Sequence, residues 1–133
     1  MVRLILLKID KASGHLSKYI CDFVDCDRDG TVKVELDPGD YYIITEVDWK
    51  GSFTREVVIN FYGQHPVALV EDRNEINLED IFNEVVVLHQ KFTEKERIYE
   101  YSKDNSIKRV TGSVAGYVYY HYTNKSTENN YLC

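Results

Sequence analysis

The stretch Leu36 to Gly63, LDPGDYYIITEVDWKGSFTREVVINFYG, holds the sharpest turn signal of the chain, its clearest strand alternation and its single tryptophan, Trp49. Asp37-Pro38-Gly39-Asp40 sets a proline, whose φ is already fixed near a turn value, before a glycine free to take positive φ; this predicts a tight turn. Beyond it Tyr41, Ile43, Thr45, Val47 and Trp49 fall on one face and Tyr42, Ile44, Glu46 and Asp48 on the other, because strand side chains alternate with a period of two. Lys50-Gly51-Ser52 permits a reversal. From Thr54 the alternation resumes, with Val57, Ile59 and Phe61 against Thr54, Glu56 and Asn60, so the expectation is a hairpin with one buried face.

Working outward, Val2 to Ile9 is apolar and β-branched enough for a strand buried on both faces, closed by a turn at Asp10 to Gly14. Ser17 to Val24 and Thr31 to Leu36 read as two further strands. After a stop at Gly63-Gln64-His65-Pro66 and a short strand at Val67 to Val70, the period changes. Leu78, Ile81, Phe82, Val85, Val86, Leu88, His89 and Phe92 recur at helical spacing, which predicts an amphipathic helix over about 78–92 with Asn77 as its N-cap. Strands at Arg97 to Tyr101, Ser106 to Thr111 and Gly116 to Tyr122 follow, with breaks at Ser102 to Asn105 and at Gly112-Ser113, then a polar tail over about 123–133. The chain of 133 residues has the length of one domain able to bury a core. The expected class is mainly β: an antiparallel β-sandwich with one packed amphipathic helix, residues 1–133 forming a single domain.

The order of elements in the opening stretch supports a family resemblance. The string L-x-P-G-x-Y-x-I at Leu36 to Ile43, a strand ending in Asp48-Trp49, a short turn, and R-E-V-V-I-N-F-Y-G at Arg55 to Gly63 together resemble the non-catalytic β-sandwich (domain III-like) segments of calpain-family proteins. The similarity is to the divergent calpain-like proteins of ciliates and other protists, and Gly116 to Tyr122 with Asn124-Lys125-Ser126 is similar to the end of that segment. The resemblance implies a non-catalytic interaction or scaffold module, a stand-alone subunit of a larger cytoskeletal or ciliary assembly. The large protease module that would carry a cysteine nucleophile is not visible, so no catalytic residue is assigned and the chain is expected not to be an enzyme.

Between the second and third strands lies Asp25-Cys26-Asp27-Arg28-Asp29-Gly30. D-x-D-x-D-G matches the first positions of a calcium-binding EF-hand loop, where alternate carboxylates and a glycine bend surround one hard cation. The pattern then fails, since the twelfth position is Leu36 and Glu35 is one residue out of register. Two readings stay open: a calcium site formed by Asp25, Asp27 and Asp29, or a hairpin turn in which Asp and Gly supply the turn conformations. The second is preferred. Within the resemblance, acidic loops of calpain sandwiches respond to calcium and lipid, so the alternative function is a calcium-responsive regulatory or membrane-docking domain. No other cofactor is implied.

The remaining observations narrow the partners. A formal net charge of -6 gives no general attraction to phosphate backbones or anionic lipid, so nucleic acid is excluded as a partner and a membrane surface enters only through calcium. No segment reaches the roughly 20 apolar residues of a membrane span, and Met1 to Ile9 is too short and too soon interrupted for a signal sequence. Met1 reads as a true start and the expected compartment is the cytoplasm. Three cysteines, Cys21, Cys26 and Cys133, read as free thiols; the proximity of Cys21 to His15 in sequence establishes neither the positioned base nor the oxyanion site of a nucleophilic dyad, and a structural cysteine is the expectation. The four histidines show no zinc spacing, and His89 reads as a packed helix residue. Tyrosine, present 11 times, offers apolar area with a polar tip and is enriched at protein interfaces. Tyr117, Tyr119, Tyr120 and Tyr122 are therefore the expected interaction residues, with alternation sending about half of the strand tyrosines inward.

Overall fold

A computed structural model describes residues 1–27, 29–51, 56–70, 78–93, 98–104 and 106–125. Strands β1 (Val2–Ile9), β2 (Leu16–Asp25) and β3 (Asp40–Val47) precede helix α1 (Leu78–Phe92), which is followed by β4 (Ile98–Tyr101), β5 (Ile107–Val114) and β6 (Tyr117–Asn124). They form two three-stranded sheets in the orders β2-β1-β3 and β4-β5-β6, every pair antiparallel. The expected class, mainly β with one packed helix, is the one that forms.

The apolar run of β1 suits a central strand, since both of its edges are paired and both of its faces need covering. Its odd-numbered residues Ile5 and Leu7 enter the core with Tyr19 of β2, Val85 of α1, and Val114, Ala115 and Tyr119 of the β5–β6 hairpin. Tyr42 and Ile44 pack against this cluster from β3, and Ile81, Phe82, Val86 and Leu88 from the helix. Leu7, Val85 and Val114 are fully buried, each worth about 1.5–3 kcal/mol as transferred apolar area. Helix α1 packs on β2 and β5 and so touches both sheets. Its bounds match the expectation; Asn77 lies outside the described residues. Its last turn closes with Thr93, whose N–H and Oγ both donate to the His89 carbonyl, at 2.9 and 3.0 Å.

Several expected features are corrected. Because β2 and β3 both run antiparallel to β1, they are parallel to each other, and the chain between Asp25 and Asp40 must cross the sheet rather than reverse beside it. The Asp25 to Gly30 turn is therefore the start of a crossover, and Thr31 to Leu36, which lies within it, forms no strand. The crossover lies on the sheet face opposite the core cluster. A Cβ at Gly30 would stand 2.3 Å from the Phe23 ring, Val34 and Leu36 line a cleft with Lys8, Lys18 and Tyr41, and Leu6, on that face, is buried.

The expected hairpin after β3 is likewise absent from the described residues. Glu56 to Phe61 and Val67 to Val70 have no regular structure and are exposed, Tyr62 at 91%; Thr54 and Arg55 lie outside the description. Helix α1 sits toward β2, the opposite edge of the sheet, so a strand added beyond β3 would have no helix to bury its apolar face. Finally, Gly112-Ser113 is not a break but part of β5, and the reversal falls at Ala115-Gly116. Both of these residues have positive φ, 48° and 79°, as a two-residue type I′ hairpin turn requires.

Candidate interaction surface

Side chains on the facing surfaces of the sheets are tied together by polar contacts. Asp22, half-buried on β2, accepts from the Tyr19 hydroxyl and from the backbone N–H of Ala115 at the β5–β6 turn. The Tyr19 phenol is pushed well above its ordinary value, by burial first and by the Asp22 hydrogen bond and charge second. Across the other end, Arg3 of β1 donates to Glu46 at 3.2 Å and to the Tyr117 hydroxyl at 3.1 Å, lies 4.2 Å over the Tyr117 ring, and Tyr117 in turn donates to Glu46. That bond, then burial, raises the Tyr117 phenol. His89 meets the Tyr119 hydroxyl through Nδ1 at 2.8 Å and stands edge-on to the Tyr19 ring at 4.8 Å. These groups are consumed in holding the sheets and helix together.

The four tyrosines expected at an interface are divided by this arrangement. Tyr119 is buried, with its ring over Gly112, and belongs to the core rather than to a surface. Tyr117 is half-buried at the sheet junction. Tyr120 and Tyr122 point the other way, 57% and 50% exposed, and with Val118 at 62% they form an apolar row along the outer face of β6. Arg109 of β5 lies beside this row, 5.6 Å from the Tyr120 ring centroid and paired with Glu100 of β4. A hydrogen bond with Tyr122 and the Glu100 charge hold the guanidinium proton more firmly than usual. Strand β6 is also an edge strand: among the described residues nothing pairs with its outer side.

The Asp25, Asp27 and Asp29 carboxylates do not assemble into a cage. Among the described residues no three His, Cys, Asp or Glu side chains converge to hold a metal ion. Asp25 is occupied locally, accepting from the Asp27 N–H at 3.0 Å, the Asx turn that starts the crossover. The Cys21 thiol is pushed up by burial and then by the neighbouring Asp22 charge, the reverse of the lowering that activates a nucleophile. Among the described residues no helix is long and apolar enough to cross a membrane.

Two residues that shape this region carry no sequence signal of their role: Asp22 is a polar residue within a strand, and Gly112 beside Ser113 reads as a turn former. The turn between β4 and β5 contains another carboxylate with a defined role: Asp104 accepts from Ser102 Oγ at 2.6 Å, Ser106 Oγ at 2.8 Å and Ser106 N–H at 3.1 Å. These bonds, the Ser102 hydroxyl's first, lower its pKa to about 2. A carboxyl depressed in the folded state stabilises the fold above its unfolded value of about 3.9 and loses that contribution as pH falls toward about 2. A side-chain NMR titration is expected to place the Asp104 midpoint clearly below the ordinary aspartate value, and Ser102→Ala is expected to move it upward. A midpoint at the ordinary aspartate value in both proteins contradicts this turn geometry.

No protein-family model, curated protein or solved structure matches this chain.

Proposed function

We propose that this chain is a non-catalytic protein-interaction or scaffold module whose binding surface is the outer face of β6, an edge strand among the described residues. One observation carries the reading: Val118, Tyr120 and Tyr122 form an exposed apolar row on an edge strand that contains no lysine, acid or proline. Edge strands in soluble proteins are ordinarily blunted by charge, proline or a bulge, and exposed apolar patches rich in tyrosine mark binding sites. The same row is not needed for the core, which Tyr119, Val110 and Val114 complete from the other face. A calpain-like family character, and with it a cytoplasmic, cytoskeletal or ciliary setting, is proposed only on the sequence strings of Leu36 to Gly63 and Gly116 to Ser126. The interaction reading does not depend on it.

The test is co-isolation of the tagged full chain from its native cells, wild type against Tyr120→Glu/Tyr122→Glu. Each tyrosine at the centre of an interface is worth about 2 kcal/mol, roughly a thirty-fold loss of affinity. The double variant is therefore expected to lose its co-isolated protein while keeping the wild-type melting temperature, since both side chains face solvent. Equal recovery with a folded double variant overturns the reading.

A further inference from the structure

Between β3 and α1, Glu56 to Val70 forms neither helix nor strand and lies exposed. Its composition is wrong for a solvated connection: Val57 to Val70 contains no Asp, Glu, Lys or Arg, whereas chain that stays unfolded in water is polar and charged. Within Glu56 to Tyr62 every apolar residue is at least 41% exposed, and Val67, Leu69 and Val70 stand out by 64–85%. At roughly 100 Å² apiece, these eight side chains leave on the order of 800 Å² uncovered. That exceeds the largest apolar patch of a typical monomer and is about what one partner brings to a standard interface.

Glu56 to Tyr62, EVVINFY, is suited to pairing as a strand, being β-branched and aromatic, free of proline and glycine, and charged only at Glu56. Val57, Ile59 and Phe61 are 48%, 44% and 41% exposed against 70% and 91% for Val58 and Tyr62, the two-residue period of an extended chain. Exposed segments of this kind ordinarily carry a lysine, a proline or an inward charge that stops them pairing with their own copies. From Val57 to Tyr62 there is none.

We propose that Glu56 to Tyr62 pairs, antiparallel and about a two-fold axis at Ile59, with the same segment of a second copy of this chain. This surface is separate from the outer face of β6. In this register Val57 lies opposite Phe61, a favourable β-branched and aromatic pair, and Glu56 lies opposite Tyr62, which keeps the two carboxylates at opposite ends of the ladder. A two-stranded ribbon alone is marginal. Gly63 to Pro66 has the four-residue length of a hairpin connection, so Val67 to Val70 returns along the outer side of each strand and two copies complete a four-stranded sheet. Backbone hydrogen bonding across the central ladder supplies the attraction. The contact is isologous and closes at a dimer.

Sedimentation of the full chain from micromolar to near-millimolar concentration tests this. The mass is expected to rise from 15.6 kDa to a plateau at twice that value. Ile59→Lys and Ile59→Glu each set like charges face to face on the two-fold axis and are expected to weaken association by about a hundredfold or more. An equimolar mixture of the two is expected to regain the dimer, because only unlike copies then place opposite charges at the axis; that rescue also shows both variants to be folded. Tyr120→Glu/Tyr122→Glu is expected to dimerise as wild type does. A wild-type chain that stays at 15.6 kDa throughout, a dimer indifferent to both Ile59 variants, or a mixture that stays monomeric overturns the pairing. Loss of the dimer in Tyr120→Glu/Tyr122→Glu with the Ile59 variants still dimeric also overturns it and moves the self-contact to β6, so the two surfaces fail separately.

Discussion

Gly112→Ala is expected to destabilise the fold by about 3 kcal/mol, the scale of losing a packed aromatic ring. A Cβ at this position would lie 2.3 Å from the Cζ and hydroxyl of Tyr119, its direct cross-strand partner on β6, a distance no side-chain contact sustains. The ring has nowhere close to go: it is 7% exposed, meets His89 edge-on at 5.8 Å, and holds the His89 Nδ1 through its hydroxyl. Expelling it empties the centre of the shared core and takes the Tyr119 hydroxyl away from a buried imidazole. Tyr119→Phe is the control, since it removes only the hydrogen bond, a net loss of about 1 kcal/mol. Denaturant unfolding of Gly112→Ala, Tyr119→Ala and the double variant should show the two losses to be far from additive, because both remove the same ring. A Gly112→Ala protein as stable as wild type contradicts the placement of Tyr119 over β5.

Asp22→Ala is the second large effect, expected at about 2–6 kcal/mol from two donors left without acceptors at about 1–3 kcal/mol each. The carboxylate links Tyr19, 3% exposed, to the N–H of Ala115, which is fully buried at a turn where Ala already has positive φ. Removing it cuts the tie between β2 and the β5–β6 hairpin as well as unsatisfying both groups. Asp22→Asn retains one acceptor oxygen but turns an NH2 toward a donor, so its loss is expected to fall between wild type and alanine. Amide exchange at Ala115, followed by NMR, separates this local cut from general destabilisation: its protection should drop further than that of Leu7 in the neighbouring sheet. Equal changes at both sites contradict the role given to Asp22.

Much of this architecture is legible in the chain because it depends on local pattern. The helix over Leu78–Phe92 is set by apolar residues at helical spacing, and the strands β1, β2, β4, β5 and β6 by β-branched and aromatic runs between turn formers. What local pattern cannot tell is which edge a strand finds. Thr31 to Leu36 and Glu56 to Phe61 alternate as well, yet neither forms a strand: the first belongs to the crossover from β2 to β3, and among the described residues no helix lies beside β3 to cover the second. Gly112 shows the same limit from another side. A glycine beside a serine is an ordinary turn signal, but here the missing side chain makes room for a ring seven residues further along.

The surface was half legible. Strand parity separates Tyr117 and Tyr119 from Tyr120 and Tyr122 before any coordinates are known. Deciding which pair faces out requires the core on the other side, and that core is built from β1, β2 and α1, far away in sequence. Asp22 was invisible as a structural tie for a similar reason, since one of its partners, Ala115, lies 93 residues away.

Site-specific photo-crosslinking from position 120 in the intact cell tests the interaction surface most directly. A photoreactive side chain replacing Tyr120 is expected to capture a polypeptide, this chain or another, whereas the same group replacing Lys11 in the exposed β1–β2 turn is not. Adducts from position 11 but none from position 120 would contradict the assignment of β6 as the binding strand.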